Sequence, residues 1–139
     1  MSKRTHLAFA LLLSAYLFRS SPQHLLSVPI VLISAMLPDL DLALRGLPLI
    51  EHRKTFHNIW FTVAAAYAIF YLTGSPLVTW LSSIGIISHL LMDSLTKVGV
   101  MWLYPLSKWK LSGPLRTGGR ADTMVGILSL IGASYFIIS

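Results

Sequence analysis

At 139 residues, with 55% hydrophobic and only 12% charged residues and a mean hydropathy of +0.71, the chain lies outside the range of soluble domains, which carry about 25% charge. It reads as one small integral membrane domain, 1–139, and its net charge of +6 is explained by membrane orientation and anionic headgroups, so no nucleic-acid partner is expected. With no cysteine, neither a disulfide framework nor a thiolate metal site is available, and any metal must be held by imidazole and carboxylate.

The opening Met-Ser-Lys-Arg and the apolar run 7–18 resemble the charged and hydrophobic parts of a signal peptide. Phe18-Arg19-Ser20-Ser21 lacks a small-residue cleavage pattern, so the segment is expected to stay as a first span, 6–19. A polar turn, 19–24, leads into span two, 24–44, where Pro38 lacks an N–H and disfavours helix at Leu37, predicting a kink or unwinding. A longer basic loop, 45–56, precedes span three, 57–73, and the turn formers Thr73-Gly74-Ser75-Pro76 separate it from span four, 77–95. The stretch 97–121 reads as an interfacial segment, with Trp102, Tyr104 and Trp109 at headgroup level, followed by a flexible Gly- and Pro-containing loop. Span five is 122–139. The expected fold is therefore all-α: a polytopic integral membrane helical bundle of about five transmembrane helices.

If the spans alternate, ten of the eleven basic residues (Lys3, Arg4, Arg45, Arg53, Lys54, Lys97, Lys108, Lys110, Arg116 and Arg120) fall on one face, with Arg19 opposite. That bias predicts a cytoplasmic N-terminus in a prokaryotic-type inner membrane. The same threading carries His6, Asp39, Asp41, His52, His57, His89 and Asp93 to this face, whereas His24 falls on the other and is excluded. Ionisable residues at span ends cost about 2.5–3.5 kcal/mol each on insertion scales, so they mark a functional site, and the partner suited to this set is a metal ion.

His89 and Asp93 are spaced i, i+4, which places both on one helical face. Asp39 and Asp41 would repel unless a cation lay between them, as a bridging carboxylate in a two-metal centre requires. His52 is expected to ligate from the loop and His57 from the first turn of span three. Arg53 and Lys54, with Arg120, are suited to holding a phosphate. Asp39, Asp41 and Glu51 are the candidate catalytic residues, Glu51 as a candidate proton carrier for an activated water. Asp122 is either an N-cap or an eighth contributor. Taken singly, each residue also has a plainer reading as a helix cap, an interfacial histidine or a topology signal. The ligand types suit zinc, one to three ions, and manganese or iron would also fit.

Thr5-His6, Leu37-Pro38-Asp39-Leu40-Asp41, His52-Arg53 through His57, and His89-Leu90-Leu91-Met92-Asp93 followed by Thr96, Gly99, Leu103, Tyr104, Pro105 and Ser107 resemble the YdjM/YbcI-type family of inner-membrane metal-dependent hydrolases. Lys54, Phe56 and Asn58 stand where that family usually has Gly, Thr and Ser. The family is similar to zinc-dependent phospholipase C and single-strand nuclease proteins, so the resemblance implies a helical fold, a His/Asp zinc cluster and phosphoester hydrolysis. A site at the cytoplasmic headgroup level favours lipid or isoprenoid phosphates, with membrane lipids as partners. Two other readings compete: a divalent-metal transporter or metal sensor, disfavoured because the ligands sit on one side, and a non-enzymatic structural membrane protein. The oligomeric state is not legible in the sequence.

Overall fold

The computed structural model describes residues 1–21, 24–43 and 54–138, so Arg45, Glu51, His52 and Arg53 lie outside the described residues. Within them the chain forms α1 (Lys3–Phe18), α2 (His24–Ser34), a 3-10 turn at Leu37–Asp39, α3 (Leu40–Ala43), α4 (Ile59–Thr73), α5 (Pro76–Ser94) and α6 (Arg120–Ile138). No strand occurs among the described residues, and only two isolated β-bridges interrupt the helical pattern. The α5 and α6 helices, 19 residues each, are long and apolar enough to cross a membrane, whereas α4 is apolar but shorter, at 15 residues. The α1 and α2 helices have 16 and 11 residues.

Local chemistry sets the helix ends. The Ser2 side chain accepts from Thr5 N–H to cap α1, and Asn58 accepts from Phe61 N–H to cap α4. Gly74, at φ +61°, closes α4 in the left-handed conformation that glycine adopts without strain, and Ser75 with Pro76 starts α5. Span two departs from its expected extent. Its helix stops at Ser34, and Pro38 then directs the chain into a 3-10 turn in which Asp39 N–H donates to Met36 carbonyl at 3.2 Å.

The stretch 97–121 also differs from the flexible loop expected of it. Lys97 and Leu115, Val100 and Leu111, and Gly113 and Thr96 are joined by backbone hydrogen bonds of 2.8–3.0 Å, so the segment folds back beneath the end of α5. Gly99, at φ +68°, is required there: a Cβ would come within 2.4 Å of the Leu111 carbonyl oxygen. Trp102 turns inward, its indole N–H donating to Ser94 Oγ at 2.9 Å, while Trp109 remains exposed.

The α5 helix is central, packed against α2, α4 and α1, and α6 lies outside against α1. Of the apolar windows of α5 and α6, 61% and 22% respectively are buried, so α6 presents most of its side chains outward. Trp60, Val63, Tyr67 and Tyr71 on α4 and Met124, Leu128, Ile131 and Tyr135 on α6 are exposed. Continuous apolar surface of this kind is what a lipid-facing helix presents. Ala10, Val31, Ala35, Leu81 and Ile84 form one core cluster, and Ile86, Leu90 and Val100 form another.

Gly85 allows α2 and α5 to touch: a Cβ there would lie 2.4 Å from Val31 carbonyl oxygen and 2.9 Å from Ala35 nitrogen, both backbone atoms. At Gly132 the nearest atom is the end of the Leu12 side chain, at 2.9 Å, which can rotate away. Thermal unfolding in detergent should therefore show Gly85→Ala destabilised by about 1–3 kcal/mol. Gly132→Ala should be unchanged or slightly stabilised, because alanine is the better helix former by about 1 kcal/mol. Equal effects at the two positions would disprove the backbone contact.

Candidate metal centre

The end of α2 generates the first element of the site. Because the helix breaks before Pro38, the Ala35 carbonyl is left facing α5, where His89 Nδ1–H donates to it at 2.7 Å. That bond places the ring proton on Nδ1 and leaves the Nε2 lone pair pointing into the cluster. Nε2 is buried, makes no hydrogen bond, and lies 3.6 Å from Asp39 Oδ1 and 3.8 Å from Asp93 Oδ2. A lone pair facing two carboxylates is unfavourable unless a cation stands between them.

Asp93 is one turn further along α5, as its spacing predicts, and is buried with His89. His57 arrives from the segment preceding α4. Asn58 Nδ2 donates to the carbonyls of Lys54 and Thr55 at 2.7 and 2.9 Å, and Phe56 stacks on Phe61 at 4.7 Å, fixing the chain on both sides of His57. Ile59 N–H donates to Trp102 carbonyl at 2.9 Å, which ties this segment to the fold-back loop. Asn58 thus caps a helix at the position where the resembling family has serine, and either side chain serves as an N-cap.

His57 Nε2 is 3.8 Å from Asp39 Oδ1 and 3.6 Å from Asp93 Oδ2. His57 Nε2, His89 Nε2, Asp39 Oδ1 and Asp93 Oδ2 therefore form a closed circuit with sides of 3.6–3.8 Å. Ligands about 2.0–2.1 Å from a four-coordinate divalent ion stand about 3.3–3.4 Å apart, and each of these four neighbouring pairs is within a few tenths of an ångström of that spacing.

A second group adjoins the first. His6, from the first turns of α1, stacks on His89 with ring centroids 3.8 Å apart and planes 3° from parallel. Its Nε2 lies 3.3 Å from Asp93 Oδ1, and its buried Nδ1 has no hydrogen-bond partner. His6, His89 and Asp93 offer donor atoms within 4.8 Å of one another, as do Asp39, His57 and His89. The α-ammonium of Met1 also contacts Asp93. Buried His/Asp clusters of this composition could hold a metal ion.

The bridging position differs from the expected one. Among the described residues it is Asp93 that has one oxygen toward His6 and the other toward His57 and His89, where Asp39 or Asp41 was expected to bridge. Asp41 Oδ2 lies 3.4 Å from Nδ1 of His57, on the edge of the ring away from the circuit. From there it is placed to orient the imidazole, as carboxylates behind metal-binding histidines commonly do. Of the expected ligands, His6, Asp39, His57, His89 and Asp93 converge, Asp41 supports them, and His52 is outside the described residues. His24 opens α2, at the end of that helix remote from Ala35.

Asp122 takes neither of its expected roles. Its carboxylate accepts from Thr5 hydroxyl at 2.5 Å, Gly118 N–H at 2.6 Å and Ser2 N–H at 2.9 Å. It joins the start of α6 to the start of α1 and so holds His6 in place. The Thr5–Asp122 pair, 117 residues apart, carries no local sequence signal. Lys54 is partly buried beside the His57 segment, and Arg120 is exposed at the first residue of α6.

The sequence model of a family described as YdjM inner membrane protein matches residues 1–138. No curated protein and no solved structure matches the chain.

Metal content and titration calorimetry on chelator-stripped protein test the division of roles. His89→Ala should abolish divalent-metal binding, whereas Asp41→Asn should weaken it about 10- to 100-fold, as loss of a supporting carboxylate does. Equal abolition by both would make Asp41 a direct ligand.

Proposed function

The chain belongs to the YdjM inner membrane protein family, and from that premise and the buried His/Asp cluster we propose that it is a membrane-embedded metal-dependent hydrolase. Its reaction would be cleavage of a phosphoester in a lipid or isoprenoid-type substrate at the cytoplasmic membrane face. The observation that carries this reading is the buried lone pair of His89 Nε2, aimed at two carboxylates beside a second imidazole. Zinc fits the donor set best, with manganese or iron as lesser fits. When bound, such an ion supplies Lewis acidity, acidifying water toward a pKa of about 7 and polarising a phosphoryl oxygen.

The protein's own residues divide the remaining work. His57, His89, Asp39 and Asp93 would hold one ion, and His6 with Asp93 would help hold a second. Ala35 and Asp41 fix the ring orientations of His89 and His57. Asp39 is the least buried of the cluster carboxylates, its side chain 14% exposed, so the open side of the centre is the Asp39 side. It is the group placed to exchange a proton with incoming water. Lys54 would steady the substrate phosphate, with Arg53 and Arg120 as further cations and Glu51 as a second proton carrier.

Placement at the cytoplasmic face rests on charge. Contacts of Ser2 with Asp122 and of Met1 with Asp93 bring the start of α1, the end of α5 and the start of α6 to one end. Lys3, Arg4, Lys97, Arg116 and Arg120 cluster near those positions. At the other end of α1, Arg19 stacks over Tyr16 and Phe136. Such an imbalance favours the basic end inside the cell. The five-span arrangement with a cytoplasmic N-terminus belongs to this proposal.

Zinc-loaded protein in detergent, given a panel of lipid phosphomonoesters, phosphodiesters and isoprenoid diphosphates, should release phosphate or headgroup from one class. Asp39→Asn should lower kcat by at least about a hundredfold, and Lys54→Gln should chiefly raise KM. Zinc bound at stoichiometric level with no turnover of any class would overturn the hydrolase reading and leave the metal site standing.

A further inference from the structure

A groove of about 510 Å³ lies between α1 and α6, bordered by Ser2 and Thr5 of the Asp122 junction and lined by none of the metal cluster's residues. Its upper end is lined by Ser2, Lys3 and Arg4, and its lower end by Gly126, Ile127 and Leu130. Thr123, Gly126, Ile127 and Leu130 are spaced i, i+3, i+4, i+7, so they make one stripe along α6, about 10 Å long. Gly126 keeps this stripe open where α6 meets α1: a Cβ there would stand 3.3 Å from Thr5 Oγ1.

Charge and polarity are graded along the groove. Lys3 and Arg4 are exposed, and among the described residues no acidic side chain pairs with either. The nearby carboxylate, Asp122, is buried and already accepts from Ser2, Thr5 and Gly118. One to two helical turns lower, the lining becomes wholly apolar, on a helix whose outward face is lipid-facing in composition. Two unneutralised cations above an apolar slot complement a molecule with a phosphate anion joined to a hydrocarbon chain. Free phosphate would leave the lower half unmatched, and a zwitterionic headgroup would bring its own cation against Lys3 and Arg4.

We infer that this groove is a binding site for one anionic phospholipid, its phosphate between Lys3 and Arg4 and an acyl chain along Gly126, Ile127 and Leu130. The site is separate from the metal centre and does not depend on the hydrolase reading.

The full chain, purified in neutral detergent and exchanged against an equimolar mixture of phosphatidylglycerol and phosphatidylcholine with matched acyl chains, tests this by native mass spectrometry. One phosphatidylglycerol should be retained in preference. Lys3→Gln with Arg4→Gln should reduce that preference at least about tenfold, and Thr123→Trp, which blocks the slot without changing charge, should remove the retained lipid. Lys108→Gln with Lys110→Gln removes the same charge elsewhere and should leave retention intact. Equal retention of the two lipids, an equal loss from the Lys108/Lys110 variant, undiminished retention by Thr123→Trp, or displacement of the lipid by inorganic phosphate would each overturn the site. Metal content measured on the same samples should be unchanged, which separates this outcome from failure of the metal centre.

Discussion

The hydrogen bond from His89 Nδ1 to the Ala35 carbonyl is the constraint from which the centre follows. It exists because α2 stops short of Pro38 and α5 comes close enough for Gly85 to touch the α2 backbone. A continuous helix would have tied up that carbonyl internally, and a larger residue at 85 would have held α5 away. With Nδ1 committed, Nε2 has its lone pair free to face the carboxylates, the orientation in which an imidazole could bind a cation.

Around that bond the structure concentrates negative charge where water is scarce. Asp41 and Asp93 are buried and Asp39 nearly so. Isolated carboxylates in such a setting are costly by several kcal/mol each unless paired. The Met1 ammonium offsets part of the charge, and a divalent ion between imidazoles and carboxylates would offset more. The same arithmetic disfavours a purely structural role, since interhelical hydrogen bonds in membranes average only about 0.6 kcal/mol. Transport fares no better: the converging ligands sit at one end of the bundle, whereas transport sites lie near the midplane.

Support for the cluster extends well beyond it. Asn58 and the fold-back loop hold His57, Trp102 ties that loop to α5, and Asp122 holds the start of α1 beneath His6. Each link joins a ligand to an element other than its own helix. Distances that a metal requires to within tenths of an ångström are in this way set by polar contacts, while apolar burial sets only the approximate positions of the helices.

Much was legible without coordinates. The 55% hydrophobic content announced a membrane protein, Pro38 announced a broken second helix, and the i, i+4 spacing of His89 and Asp93 placed them on one face. Alternation of the expected spans gathered His6, Asp39, Asp41, His52, His57, His89 and Asp93 at one end, and of these the described residues His6, Asp39, His57, His89 and Asp93 converge in the structure. The roles within the cluster were not local. That Asp93 faces both groups, that Asp41 stands behind His57, that Asp122 serves α1, and that 97–121 folds back instead of hanging free all depend on contacts between residues distant along the chain. Spacing along a chain specifies which side of a helix a residue occupies, but only the packing of one helix against another decides which oxygen meets which nitrogen.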